Sequence, residues 1–411
     1  MDFAKDFDLV TCDLKLATGE IWNLRFKILE ISTYEDIFNN NITCDVTIND
    51  AENMLMNFPI FGFEELKLEF RTPDRGLWSK KLRLIKITDR ELIRERELVY
   101  ILHFVTPEAV LNLKKRISKS YKGKLISQMV EDIHPQIGGG GIDVEVTKIQ
   151  HHFIIPNLHP MHAINWLATH ANPAAYKGAS YLYYENKDIF KFVTSEKLLS
   201  EGPKKTYLYQ VANVRKGDLG HKPQELETNV IAAEAYTFDN HMDIIENMRR
   251  GMYGNELLTH SDARKIWRRY TFDYPGSFDD YKHLYPSNYL ESRAKQDVNK
   301  KESKLKLHST GHDQDNYPFL PELWIPCRIS QLHQLHQIRL TLTLPGDSER
   351  TCGEVVEFNL PSPEPPINNQ QVDDKYYRGK YLVQSVRHII DQDKYRTILG
   401  LVKDSVFTQF P

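Results

Sequence analysis

Cysteine is scarce in this 411-residue chain: Cys12, Cys44, Cys327 and Cys352 stand alone, with no CxxC pair. That spacing argues against structural zinc and a disulfide framework, and fits reduced thiols made in a cytoplasm. Long apolar runs are missing. None reaches the roughly 18 residues a membrane helix needs, so no stable membrane insertion is expected. The opening Met1-Asp2-Phe3-Ala4-Lys5-Asp6 lacks a basic segment followed by an apolar core, so no secretory signal is expected. An excess of charge of one sign is also absent. With 53 Lys and Arg against 56 Asp and Glu, the formal net charge is −3. A protein held on nucleic acid by an overall basic field is therefore disfavoured.

Catalytic signatures are absent in the same way. Sixteen histidines are present, with His151, His152, His159, His162 and His170 close together and His333 and His336 flanking Gln334-Leu335. No HExxH spacing and no nearby cysteine makes them a zinc set, so surface or hydrogen-bonded histidines are expected. Gly138–Gly141 follow a predicted helix and precede a strand, the reverse of a dinucleotide loop, and no GK[ST] follows. They read as a flexible turn. No GxSxG element occurs. Acidic pairs such as Glu131-Asp132 and Asp279-Asp280 are too cheap to mark a glycosidase cleft. The cluster Arg249-Arg250, Arg264-Lys265 and Trp267-Arg268-Arg269-Tyr270 mixes cations with aromatics. It reads as a solvated helix end with Trp267 and Tyr270 packed inward, and otherwise as a contact for nucleic acid or an acidic partner, chiefly a protein. No catalytic, metal or cofactor-binding residue is assigned, no cofactor is expected, and the chain is read as non-enzymatic.

What is present is β pattern at both ends. With 41% hydrophobic and 11% aromatic residues, the chain can bury sizeable cores, and its length fits two to four domains. Residues 9–105 read mainly as strands. Ile21–Leu29 and Lys81–Ile87 alternate at period two, Asp89–Glu97 reads as a charged connection, and Leu98–Val105 as a buried strand. At Thr106-Pro107 a cap and a first-turn proline start a helix. Leu111, Ile117 and Tyr121 are expected to face inward along it, and Gly123 to end it. A second helix is expected over Lys124–Ile133, and a third around Pro160–Ala168 with Ala163, Ile164, Leu167 and Ala171 on one face. Ala179–Tyr184 and Ile189–Val193 read as a hairpin turning at Glu185–Asp188. Tyr207–Val214 reads as a strand, and Ala232–Gly251 mixes strand and helix signals. Glu291–Asn316, centred on Lys300–Lys306, has the composition of a solvated linker. Strands return from 321. Ile338–Leu344 alternates, Val355–Leu360 is expected to pair with it, and Gly379–Ile390 and Tyr395–Asp404 end the pattern. The opening and closing stretches read as two copies of one β design.

Several runs carry a family resemblance. Asn49–Leu55, Pro59–Glu64 and Phe70-Arg71-Thr72-Pro73 resemble the first tube-like barrel of baseplate hub proteins from contractile-tailed phages. So does Phe104-Val105-Thr106-Pro107-Glu108 followed by Asn112–Gly123. Pro156–Pro160 with Asn165–Ala168 resembles the family's next helical segment. Gly379–Val383 with His388, Tyr395 and Val402-Lys403-Asp404 resembles the last strands of its second barrel. Residues 225–320 match nothing in it.

The resemblance implies a β-rich α+β fold in which two tail-tube-like antiparallel β-barrels are joined by smaller α+β domains. The expected divisions are 1–105 for the first barrel, 106–204 for a small α+β domain, and 205–224 plus 321–411 for a split second barrel. Residues 225–320 are an insertion, read as a contact for baseplate wedge or spike. The implied function is a structural central hub: a homotrimer whose ring adapts a hexameric tail-tube protein to a trimeric spike protein. It would enclose a channel for the tape-measure protein and for DNA in transit, in a virion tail baseplate made in the host cytoplasm. Needle and lysozyme would then be separate polypeptides. Two other readings remain open: a peptidoglycan-degrading or carbohydrate-binding tail protein, and the hub of a phage-like secretion or contractile injection machine.

Overall fold

A computed structural model describes residues 7–52, 54–57, 60–94, 97–209, 231–241, 243–261, 265–288, 290, 305–309, 320–362, 364, 373–392 and 394–407. The chain is β-rich α+β. Its first unit has seven strands: β1 (Asp8–Lys15), β2 (Ile21–Asn23), β3 (Ile28–Asp36), β4 (Thr43–Asp50), β5 (Glu65–Arg71), β6 (Trp78–Arg94) and β7 (Glu97–Val105). Strand alternation builds the core directly. Cys44, Val46 and Ile48 of β4 and Leu66, Leu68 and Phe70 of β5 are fully buried on one face. The strand expected over Ile21–Leu29 is broken in the middle. Asn23 Oδ1 accepts from the Arg25 amide (3.1 Å) and Leu24 O from the Lys27 amide (2.8 Å), which turns the chain. The expected charged connection is also different. β6 runs on to Arg94, paired with β7 through Glu91↔Val99 and Leu92↔Leu98, so its charges line a two-stranded ribbon.

The middle of the chain opens with the helix Pro107–Leu113, with Thr106 at its N-cap position. Continuation of that helix to Tyr121 does not occur. Ile117–Leu125 is a strand, β8, antiparallel to β10 (Gln150–Leu158). Ile117 and Tyr121 are both buried, and a spacing of four satisfies one face of a helix or of a strand; pairing with β10 decides it. The next helix starts at Ile126, not Lys124, and buries Met129, Val130 and Ile133. The helix Pro160–His170 packs through Ala163, Ile164 and Leu167, with Ala171 just beyond it. The expected hairpin is present as β11 (Tyr181–Glu185) and β12 (Phe190–Thr194), with β9 (Ile142–Val144) parallel to β12.

The second unit again has seven strands: β13 (Thr206–Tyr209), β14 (Ala232–Ala233), β15 (Ala235–His241), β19 (Ile338–Pro345), β20 (Val355–Asn359), β21 (Gly379–Asp391) and β22 (Tyr395–Lys403). Between β15 and β19 lie a small sheet of β16 (Gly254–Ser261), β17 (Ile266–Asp273) and β18 (Leu305–Ser309), and the helix Ile325–Gln334. β18 falls inside the expected linker and pairs in parallel with β16. Residues 291–304 and 310–316 of that linker, and 210–214 of the strand expected from Tyr207, lie outside the described residues. β20 does not pair with β19 but with β13 and β21. The loop before β20 reaches instead to the first unit, and β22 takes the edge of β19.

The two units share one strand order. In chain order each unit supplies strands one to seven; in space they run third, fourth, seventh, sixth, fifth, first, second: β3-β4-β7-β6-β5-β1-β2 and β15-β19-β22-β21-β20-β13-β14. The register also repeats. A bulge falls between Leu84 and Lys86 opposite β7, and another between Val383 and Ser385 opposite β22. The copies differ at one end, where β1 is antiparallel to β5 while β13 is parallel to β20. The units are not separate barrels. β21 pairs with β20 through Gly379–Leu382 and then with β3 through Ser385–Asp391, so fourteen strands form one sheet. No sheet among the described residues closes on itself. The physical reason is length: β21 overhangs the short β20, and β3 covers the overhang.

Candidate assembly surfaces and the joint that sets them

Since two units share one sheet, the joint between them fixes the relation of every outer surface. The loop Gly346–Cys352 carries it. Thr72 and Ser348 bond reciprocally, amide to hydroxyl, at 3.1 and 3.0 Å. The Glu35 carboxylate of β3 is fully buried and accepts from Thr351 Oγ1 (2.6 Å), the Cys352 amide (3.3 Å) and Trp78 Nε1 (3.4 Å). Burial pushes its pKa up, against those hydrogen bonds. Phe70 stacks on Trp78 (4.8 Å) and meets His388 and Tyr395 of the second unit edge-on, each at 5.6 Å. Glu185 of β11 is tied to the first unit by Lys80 of β6, whose Nζ donates to it (2.8 Å), and it also accepts from Thr106 Oγ1 (2.7 Å). Thr106 thus spends its hydroxyl on this contact rather than on capping its own helix. In sequence, Asp347, Ser348, Glu349 and Thr351 look like any solvated turn and carry no local sign of this role.

The residues singled out for chemistry are dispersed into packing. His151 stacks on Phe153 (4.7 Å), and burial takes it down to about 4. His170 sits among Phe153, Trp166 and Trp324. His159 bonds Lys115 O (2.8 Å), and His336 lies against Phe38 (5.1 Å). Among the described residues no three of His, Cys, Asp and Glu gather as a metal set. Asp132 accepts from Lys119 and Tyr121, both at 2.6 Å, which hold it below the usual carboxylate range. Asp280 pairs with Lys177 (2.6 Å). Arg249 and Arg250 do end a helix, Ile244–Arg250, as exposed partners of Glu246 at 3.6 and 2.6 Å, whereas Trp267–Tyr270 belong to a strand, β17, rather than a helix end. Trp267 is 59% exposed, contrary to the inward packing expected of it, while Tyr270 is half-buried and bonds Glu322 (3.3 Å). Arg269 pairs with Glu256 of β16; Arg264 lies outside the described residues.

Lys403, in the run that ends the β pattern, is buried. Its ammonium donates to Tyr376 O (3.1 Å) and Arg378 O (2.9 Å) between the rings of Tyr285 and Tyr381. Burial draws its pKa down to about 7. The unfolded lysine takes up its proton below ~10.4, so between there and about 7 the unfolded chain binds more protons. Stability should therefore rise with pH across that window. The expected result is a higher urea midpoint at pH 9.5 than at 7.5, with the rise diminished in Lys403→Met. An unchanged rise in that variant would assign it to other groups.

The outer surface offers apolar and open-edge features suited to assembly. A cleft of about 390 Å³ is lined by Phe63, Leu84, Ile85, Val110 and Leu111 among others. Phe61, Phe63 and Leu113, all near it in the chain, are each about two-thirds exposed. A second cleft of about 400 Å³ is lined by Leu9, Phe26, Ile28, Ile31 and Ile390, with Phe26 91% exposed. Beyond Arg83, β6 pairs only with β7, and β15 pairs only with β19, so each presents a free edge among the described residues. No helix of the described residues is long and apolar enough to cross a membrane.

No family model matches this sequence, and no curated protein matches it. Its architecture does match solved structures. The tail protein from Neisseria meningitidis MC58 aligns over 96% of both chains, at a TM-score of 0.54 and 11% identity. The 43 kDa tail protein of prophage MuSo2 from Shewanella oneidensis aligns over 96% of this chain and 99% of its own, at 0.56 and 8%. This chain has a prophage tail-protein fold. That fold covers both β units and the segments between them, since so little of either chain is left unaligned. The resemblance read in scattered motifs is thus present as architecture.

Proposed function

We propose that the protein is the structural, non-catalytic central hub of a contractile-tail baseplate. Three copies form a ring that joins a hexameric tail tube to a trimeric spike and encloses the path of tape measure and DNA. The observation that carries the reading is the repeated strand order in a chain with the tail-protein fold. Two like units in each of three chains offer six similar surfaces to a hexamer, which resolves a mismatch of symmetry. In this reading the two seven-stranded units act as the tube-like domains, each a barrel left open on one side. Residues 106–204 brace the joint between them. The second unit takes in 231–241 as well as 205–209 and 321–407, and the small β16–β18 sheet is an outward contact for wedge or spike. The virion tail is the expected location.

Negative-stain electron microscopy of the purified chain at high concentration tests this. A ring with a central hole and three-fold or near six-fold symmetry is the expected result. Isolated compact particles, together with lysis of cell walls in a turbidity assay, would sink the structural reading.

A further inference from the structure

The intrachain joint has an unfilled counterpart. Because both units share one strand order, β6 is the equivalent of β21, and β15 the equivalent of β3. Within the chain, the overhang of β21 pairs with the edge of β3. The two remaining members, the overhang of β6 and the edge of β15, have no strand beside them among the described residues. Exposed edges of this kind invite pairing with another chain.

The registers make the equivalence specific. The shared bulge aligns Lys86 with Ser385, Ile87 with Val386 and Thr88 with Arg387. On the other side, Arg83 and Leu382 stand opposite Val105 and Val402, which makes those two valines equivalent. Thr43 faces Val105 and Arg339 faces Val402. Asn240, opposite Arg339, therefore holds the place of Tyr34, opposite Thr43. Arg387 faces Tyr34 inside the chain, so the corresponding pair between chains is Thr88 facing Asn240.

We propose that the β6 overhang of one copy adds antiparallel to the free edge of β15 in a second copy, repeating between chains the joint that β21 makes with β3 within one. This rests on the ring reading above and names the surface that would build it. The contact is head-to-tail, because each copy offers β6 on one side and β15 on the other. Such contacts make a ring when the rotation closes. Alternating filled and newly formed joints would make all six units of a three-copy ring equivalent neighbours. Ile85, Leu92 and Ile93, each more than half exposed, lie on the ribbon that would be covered.

Paired cysteines test it in the full chain, whose four native cysteines are all buried. Thr88→Cys with Asn240→Cys should give, on mild oxidation, reducible covalent oligomers up to a trimer. Directly opposed strand residues lie about 4.5–5.5 Å apart, within reach of a disulfide. Thr88→Cys with Ala235→Cys should not cross-link, being displaced roughly 15 Å along the strand. Light scattering of the unoxidised protein separates the two ideas. A trimer that fails to cross-link overturns the strand joint and leaves the hub reading standing; a monomer at high concentration overturns both. Cross-linking by Thr88→Cys alone would indicate a two-fold contact and also overturn the joint. Hydrogen exchange on the unsubstituted chain gives a reading free of any folding defect. Concentration-dependent protection should centre on 85–91 and 235–241, and protection confined to other segments would refute the proposal.

Discussion

Replacing Arg328 with alanine should destabilise the protein by about 3 kcal/mol. Arg328 lies on the helix Ile325–Gln334, and its Nη1 donates to three backbone carbonyls of the segment between the two β units. These are Ala168 O (3.2 Å), Ala179 O (2.7 Å) and Tyr181 O (3.0 Å). Alanine removes the donor of all three oxygens at once. Burial draws the guanidinium down to about 10, so the cation stays charged throughout the neutral range. The measurement is the urea midpoint of Arg328→Ala against the unsubstituted chain, with Arg328→Lys as a partial rescue. A lysine can serve one or two of the three carbonyls but lacks the planar fork. A change below about 0.5 kcal/mol would place the arginine among surface residues in energetic terms.

Replacing Arg350 with methionine should cost about 3 kcal/mol, because it removes one of the two cations on a buried carboxylate together with the buried bonds to Tyr207 and Pro345. The Arg350 side chain is 2% exposed and that of Asp347 1%. Arg350 Nε donates to Tyr207 Oη (3.0 Å), its Nη1 to Pro345 O, and Asp347 Oδ2 lies 3.9 Å away. Lys205, at 2.8 Å, is the other cation on Asp347. Burial alone would raise the Asp347 pKa, but Arg350 and then Lys205 outweigh it and hold the carboxyl at about 2. A folded pKa below the unfolded ~3.9 gives stability that is present above pH 4 and is lost as pH falls through about 2. Without Arg350 the folded value rises, so the acid transition of the variant should begin at higher pH. Adding Asp347→Asn should recover part of the neutral-pH loss. Two strictly additive losses in that double variant would show that the pair is not coupled.

Much of the fold was legible from alternation alone, and the reasons it failed elsewhere are specific. Ile338–Leu344 buries every second residue, and period two reports that directly. The third helix was readable because Ala163, Ile164 and Leu167 recur at helical spacing. Ile117 and Tyr121 misled because a spacing of four fits both kinds of element, and only the distant strand β10 distinguishes them. Trp267 is expected inward as part of a helix end, yet it lies in β17, whose first four residues are all exposed. The joint was not legible at all. Glu35, Thr351 and Ser348 are ordinary polar residues whose partners lie hundreds of positions away, so no local window contains the signal. The two-copy design was visible as pattern, but the shared strand order, which says where the copies touch, required the pairing itself.

The pairing of β21 with β3 also sets an order of events during synthesis. Ser32 and Arg387, bonded at 3.0 Å, are 355 residues apart in sequence. At ~5–20 residues per second of translation, β3 waits roughly 20–70 s for its partner strand to be made. Over that interval the first unit is a nascent chain with its third strand uncovered on one side, and a contact this remote is slow to find. Two ribosomes on one message would hold neighbouring copies with the same uncovered strand in reach. A β21 segment from one copy could then seat on the β3 of another, giving intertwined chains in place of separate ones. Expression temperature and translation speed should therefore govern the yield of correctly threaded protein more strongly than its final stability does.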